Sequence, residues 1–217
     1  AVIGANWFGH PAEEMTMIAV TGTCGKTTTT YLLKAILEQA RGAKVGLIGT
    51  NQNMIGSDVI PTERTTPESF EVQKLFREMA DAGCTHVVME TSSHALYLDR
   101  VYGVRYDVGI FTNLTQDHLD FHKTMENYCD AKAILFRNCV TGVVNADDPW
   151  TPRLLKDADC KVMTYAEQAD ADLRAENIVL SAGGIAFDAV SGAERVPIRV
   201  NIPGGFMVYN TLDVLGA

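Results

Sequence analysis

Eight residues, Thr21-Gly22-Thr23-Cys24-Gly25-Lys26-Thr27-Thr28, have the types and spacing to hold a row of phosphates. They follow a short apolar run and open a helix-period segment, the setting in which a glycine-rich turn aims backbone N–H groups at phosphate oxygens. Lys26 would neutralise charge on the outer phosphates, and the Thr27 hydroxyl would reach a Mg²⁺ ion. The pattern is the short G-x-x-G-K-T, because Val20 stands where the longer G-x-x-x-x-G-K-[ST] loop has its first glycine. The competing reading is an ordinary strand-to-helix turn. The guanine-reading sequence N-K-x-D is missing, which favours ATP as the nucleotide.

Three further side chains could act beside such a loop. Glu90 ends the apolar run His86–Met89, and an open α/β sheet gathers its ligand groups at that kind of position. It could hold the metal, or be an acid solvated at a strand end. His118 and His122 are spaced for zinc, but a metalloprotease H-E-x-x-H needs Glu where Leu119 stands, so zinc is rejected. His118 as a Mg²⁺ ligand would be unusual, since hard cations prefer oxygen. Lys132 lies four residues after Tyr128 and four before Phe136, on the apolar face that Ala131 and Leu135 also mark. Burial there would favour an uncharged amine, able to add carbon dioxide and become a metal-binding carbamate. Alternatively, only the stem is covered and the ammonium reaches water.

The elements that must position these groups read as α/β. Short apolar runs at Met17–Val20, Lys44–Ile48, His86–Met89, Asp107–Phe111 and Gly142–Val144 alternate with helix-period segments, the pattern of a mostly parallel P-loop-type sheet flanked by helices. Helices are expected over Thr27–Gln39, with Leu32, Ala35 and Ile36 inward, and over Pro67–Ala80, with Thr66 as cap and Leu75, Phe76 and Met79 inward. A third spans Met125–Arg137. After Asn145, Ile178–Leu180, Ile185–Ala189 and Pro197–Ile202 predict a small antiparallel β appendage. Tyr209–Leu215 is helical, and residues 1–15 read as an interdomain linker before a domain over 16–217.

Composition bounds the rest. A chain of 217 residues, 47% of them hydrophobic, can bury one sizeable core. A net charge of −9 argues against a nucleic-acid surface while allowing a local basic pocket. Five cysteines without C-x-x-C spacing suggest neither a zinc site nor a disulfide framework, and fit a reducing cytoplasm. No apolar run approaches the roughly 20 residues of a membrane span. The missing initiator Met suggests a piece of a longer protein.

Together these residues resemble the Mur ligase family, and within it the branch that adds the third residue to UDP-N-acetylmuramoyl-L-alanyl-D-glutamate. The segments TGTCGKTT (21–28), TTPES (65–69), METSSHALYLDRV (89–101), TNLTQDHLDFHKTMENYCDAKAILF (112–136), VNADDP (144–149) and IPGGFMVYNTL (202–212) carry the resemblance and tile nearly the whole chain. It implies a central ATP-binding domain, with Gly22, Thr23, Cys24, Gly25, Lys26, Thr27 and Thr28 on the phosphates and Asn210 at the adenine. It further implies Glu90 and His118 as metal ligands with Thr27, and Lys132 as a carbamylated lysine supporting a second metal. Lys26, Lys132 and His118 would be catalytic. Thr65, Thr66, Ser92 and Arg100 would contact the muramoyl dipeptide.

The implied reaction is ADP-forming amide ligation through an acyl phosphate in peptidoglycan precursor synthesis, with N- and C-terminal domains of the same parent supplying the rest. Rival readings are a ligase of the folylpolyglutamate synthase kind and a non-catalytic nucleotide-binding module. Three positions depart from the family pattern: Arg64 where Asn is frequent, Leu98 where some members have Gln, and Met207 where a polar residue near the nucleotide is expected.

Overall fold

In the computed structural model, which describes residues 1–217, Met17 and Ala19 join one hydrophobic cluster while Ile18 and Val20 join another. The first apolar run is therefore covered on both faces, as a parallel strand between two helical layers must be. The chain order is α1 (Val2–Phe8), β1 (Thr16–Thr21), α2 (Lys26–Arg41), β2 (Val45–Ile48), β3 (Asn53–Ile55), β4 (Asp58–Ile60), α3 (Ser69–Asp81), β5 (His86–Glu90), α4 (Ser93–Tyr97) and β6 (Tyr106–Phe111). It continues with α5 (Leu119–His122), α6 (Met125–Ala133), β7 (Cys139–Asn145), α7 (Thr151–Leu154), β8 (Lys161–Ala166), β9 (Leu173–Ser181), β10 (Gly184–Ser191), β11 (Glu194–Val200) and α8 (Phe206–Gly216).

All 11 strands form one sheet in the order β11-β10-β9-β8-β7-β6-β1-β5-β2-β3-β4. The strands from β2 across to β9 are parallel, with an antiparallel ribbon at each edge. The α/β class expected from the alternating pattern is what forms. The C-terminal ribbon is continuous with the main sheet, because β8 and β9 pair through Tyr165 and Leu173. Phe76, Met89, Phe111, Tyr128 and Phe136 belong to the cluster under α3, α4 and α6; Leu33, Val88, Ile110, Met207 and Leu212 belong to the one under α2 and α8.

Several local expectations are corrected. On α2, Leu33 is buried whereas Ala35 and Ile36 are exposed, Ile36 by 46%. The left-handed Gly25 (φ 95°) that starts this helix fixes its rotation, turning Thr29, Thr30 and Leu33 inward. Helix α3 begins at Ser69, capped by Glu68 in a reciprocal box with Glu71, so Thr66 is not its cap. The third predicted helix is α6, tightened into a 3-10 turn over Ile134–Arg137. Residues 1–15 hold α1 and a 3-10 turn at Pro11–Glu14, and Phe8 lies 5.1 Å from Phe70 of α3.

Strand order decides where ligands collect. β1 sits between β5 and β6, so the chain leaves β1 toward one side of the sheet and later crosses to the other. A crevice opens at such a switch point, beyond the carboxyl ends of the strands. The phosphate loop after β1, Glu90 at the end of β5, Thr112–Thr115 after β6 and Asn145 at the end of β7 all lie at that edge.

Candidate nucleotide and phosphoryl-transfer site

The phosphate loop is held by the end of β6. Thr112 Oγ1 donates to the Cys24 carbonyl at 2.6 Å, Asn113 Nδ2 donates to the same oxygen at 3.0 Å, and Asn113 Oδ1 accepts from Cys24 N–H at 3.0 Å. Thr23 Oγ1 lies 3.2 Å from the Tyr128 hydroxyl and accepts from Thr115 N–H at 3.0 Å. Gly22 has φ 148°, and a Cβ there would stand 1.9 Å from Thr112 Oγ1. No other residue fits that close approach. These tethers leave a preformed turn at the N-terminus of the 16-residue α2, where partial positive charge accumulates.

Two lysines converge on one carbonyl of this loop. Lys26 Nζ donates to Gly22 O at 2.8 Å and to Thr23 O at 2.9 Å, while Lys132 Nζ, reaching in from α6, donates to the same Gly22 O at 2.9 Å. Lys132 is 1% exposed, and its Nζ stands 4.6 Å from the centre of the Tyr128 ring. Burial first, and then the charge of Lys26, hold the Lys132 amine well below its ordinary range. Lys26 is also lowered by burial, partly offset by the negative charge of Glu90. The inward position expected for Lys132 is therefore realised.

Glu90 is fully buried. Its Oε1 accepts from Thr50 N–H at 3.0 Å and its Oε2 from the Thr50 hydroxyl at 2.8 Å, and Gly49 leaves the space it occupies. Thr50 Oγ1 in turn lies 3.0 Å from Thr65 Oγ1. The Thr66 hydroxyl donates to Glu90 O at 2.9 Å and accepts from Ser92 N–H at 3.1 Å; Arg100 Nη1 donates to Thr66 O at 3.2 Å. The four residues expected to contact substrate thus form one chain of hydrogen bonds ending at Glu90. Ser92 also caps α4 through Ala95 N–H. Arg100 carries a buried Nε with no partner and is lowered by burial and then by Arg64. Arg64 pairs with Glu68, which pairs with Arg100 at 2.9 Å.

His118 stands edge-on to Tyr128 at 6.0 Å, the ring that Lys132 also approaches. Its backbone is left-handed (φ 51°), its ring is edge-on to His94 at 5.0 Å, and its Nε2 is 3.4 Å from Asp117 Oδ2. No three His, Cys, Asp or Glu side chains are grouped closely enough to chelate a cation by themselves. Oxygen donors such as the Thr27 hydroxyl and the Glu90 carboxylate would suit a Mg²⁺ ion completed by phosphate oxygens. His122 belongs to packing: its Nε2 lies 2.9 Å from Ser93 Oγ and its ring stacks on Tyr128 at 5.0 Å.

A cavity of 370 Å³ continues from the loop, lined by Cys24, Gly25, Thr28, Asn113, Asn145, Phe206, Tyr209 and Asn210. Asn210 abuts Gly25, and its Nδ2 has no partner within the chain. Met207 is fully buried in the apolar cluster beneath α8 and does not line this cavity; the exposed Phe206 does. Sequence reasoning missed Thr50, Thr112 and Phe206. Thr112 follows β6 directly and Thr50 follows β2 after one glycine, which was the available signal.

The profile of the Mur ligase middle domain matches residues 20–217. The chain belongs to the Mur ligase family. It is 50% identical over 217 residues to the UDP-N-acetylmuramoyl-L-alanyl-D-glutamate–2,6-diaminopimelate ligase of Clostridium botulinum, covering 100% of this chain and 45% of that one. It is 51% identical to ligase 1 of that name from Clostridium acetobutylicum, with the same coverage. A solved structure bearing that ligase name superposes with a TM-score of 0.89 at 29% identity over 98% of this middle domain and 45% of that chain. A folylpolyglutamate synthetase complex with AMPPCP (TM-score 0.80, 17% identity, 99% of this chain and 60% of that chain) shares the fold. The middle domain spans about 45% of the length of the curated relatives it matches.

Proposed function

We propose that this middle domain binds ATP and Mg²⁺ for an ADP-forming ligase that extends the peptide of UDP-N-acetylmuramoyl-L-alanyl-D-glutamate by one amino acid. The observation that carries the reading is the convergence of Lys26, Lys132 and Glu90 on a phosphate loop whose flank presents Thr65, Thr66, Ser92 and Arg100. The loop N–H groups and Lys26 orient the outer phosphates and take up charge as the γ-phosphoryl moves to the substrate carboxylate. Arg100 and the threonine–serine chain present that carboxylate, and the amine of the incoming amino acid then displaces phosphate from the acyl phosphate. Thr27, Glu90 and His118 are the residues that would hold the metal, which when bound shields the phosphate charges. Asn210 and Phe206 take the adenine.

Lys132 is the residue we assign as a carbamate. An uncharged amine adds to carbon dioxide with loss of a proton, and the Lys26 ammonium beside it favours the resulting anion. The relatives' names include 2,6-diaminopimelate, and we propose it as the incoming amine, in a cytoplasmic reaction completed by further domains. No helix here is long and apolar enough to cross a membrane.

Calorimetric titration of the 217-residue chain with ATP, with and without Mg²⁺, tests the nucleotide reading. Lys26→Ala should weaken binding about tenfold or more, and Glu90→Gln should abolish the metal dependence. Equal affinity in all three proteins would overturn it. In the longer parent, oxygen-18 in the D-glutamyl carboxylate should appear in the released phosphate.

A further inference from the structure

The phosphate loop carries a cysteine whose backbone is fully engaged and whose side chain is not. Cys24 N–H donates to Asn113, and its carbonyl accepts from Thr112 and Asn113, yet the residue is exposed, so the exposure belongs to the thiol side. It borders the 370 Å³ cavity that continues from the loop. The same cavity is lined by Asn210, which is 4% exposed and whose amide nitrogen lacks a partner, an independent sign that a ligand completes this space. Cys84, Cys129 and Cys139 are buried and Cys160 is half-buried. Burial pushes the Cys129 and Cys139 thiols up to about 12. Cys24 is the most exposed of the five thiols, and it lies within the electrostatic reach of Lys26.

We propose that Cys24 is a nucleotide-gated thiol: a small disulfide exchanges onto it when the loop holds no nucleotide, and the mixed disulfide and ATP exclude one another. This rests on the reading of the loop as ATP-binding. In the exchange the Cys24 sulfur, its proton given to water, attacks one sulfur of the disulfide. The old S–S bond breaks, a Cys24 S–S bond forms, and the second thiol leaves as thiolate, so no outside oxidant is needed. An adduct bearing carboxylates then occupies the space that α2 and Lys26 offer to phosphates. A free thiol such as reduced glutathione reverses the step.

The test treats the 217-residue chain with oxidised glutathione, with and without saturating ATP and Mg²⁺, maps the adducts by peptide mass spectrometry, and measures affinity for a fluorescent ATP analogue before and after. Cys24 should react about tenfold faster than any other cysteine, ATP should slow it about tenfold, and the adduct should weaken analogue binding by a similar factor. Cys24→Ser should take no adduct at this position, and its affinity should not change on treatment. Modification of Cys160 first, or an unchanged Cys24 rate while the analogue is bound, would overturn the gate and leave the ATP reading standing. A chain that never binds the analogue would end both.

Discussion

Lys132 and Lys26 illustrate how little a residue's type says without its neighbours. Both amines donate to the Gly22 carbonyl, and only the one from α6 is fully enclosed. Lys132→Ala should therefore lower phosphoryl transfer, assayed in a full-length ligase carrying this domain, by about a hundredfold or more while lowering its stability modestly. A carbon-13 carbamate resonance from labelled carbon dioxide should vanish with the side chain, and equal loss of rate and stability would make Lys132 a packing residue. Gly22→Ala must clash with Thr112, so we expect a loss on the order of 2 kcal/mol in stability together with lost ATP binding, read by urea unfolding and calorimetry.

His122 supplies a pH prediction. Burial first, then the charges of His94, Lys132 and His118, push it down to about 4, against a raising effect of Asp120. The folded state thus binds fewer protons than the unfolded one between about pH 6.5 and 4, so stability falls as pH drops through that window. The loss should be on the order of 2 kcal/mol, and His122→Gln should flatten it in urea titrations at pH 7 and 4.5.

At the scale of elements, α2 and α8 are joined by a buried pair. Thr29 Oγ1 lies 2.9 and 3.2 Å from the two oxygens of Asp213, which is wholly inaccessible to solvent. Burial raises the Asp213 carboxyl well above the usual range, more than the Thr29 bond lowers it. The folded state then holds a proton that the unfolded carboxyl releases above about pH 4, so this group costs stability as pH rises. Asp213→Asn should stabilise the chain by about 1 kcal/mol at pH 8, with the advantage shrinking toward pH 4. Thr29→Val should cost about 1–3 kcal/mol, and the double variant with Asp213→Leu should recover most of it. Chemical unfolding of the four proteins measures the cycle. Because α2 begins at the phosphate loop and α8 carries Asn210, this pair also ties together the two ends of the proposed nucleotide site.

For the molecule as a whole, Thr65 and Arg100 are half-buried and His118 is exposed, so all three can be reached from solvent. The middle domain covers 45% of its relatives' length, and we expect the 217-residue chain to bind ATP with Mg²⁺ yet form no amide bond. Product assays with the muramoyl dipeptide and diaminopimelate check this; turnover by the chain alone would place the whole catalytic apparatus within it.

The alternation of apolar runs with helix-period segments was enough for the α/β class, because two-sided burial of parallel strands leaves a local signature. The glycine spacing placed the phosphate loop, and the pattern around Tyr128 and Phe136 turned Lys132 inward. Other features depended on packing. The burial of Met207 follows from what α8 meets across the sheet, which no window of neighbouring residues contains, whereas the rotation of α2 and the start of α3 turn on backbone geometry at Gly25 and on the Glu68–Glu71 box, which residue type alone did not reveal. Thr50 could not be found as the partner of Glu90, since 40 residues separate them and only the pairing of β2 with β5 brings them together. The sequence by itself determined which groups can do the chemistry. Tertiary structure alone decided that two lysines 106 positions apart share the Gly22 carbonyl at 2.8 and 2.9 Å, because that meeting needs β1, β6 and α6 assembled.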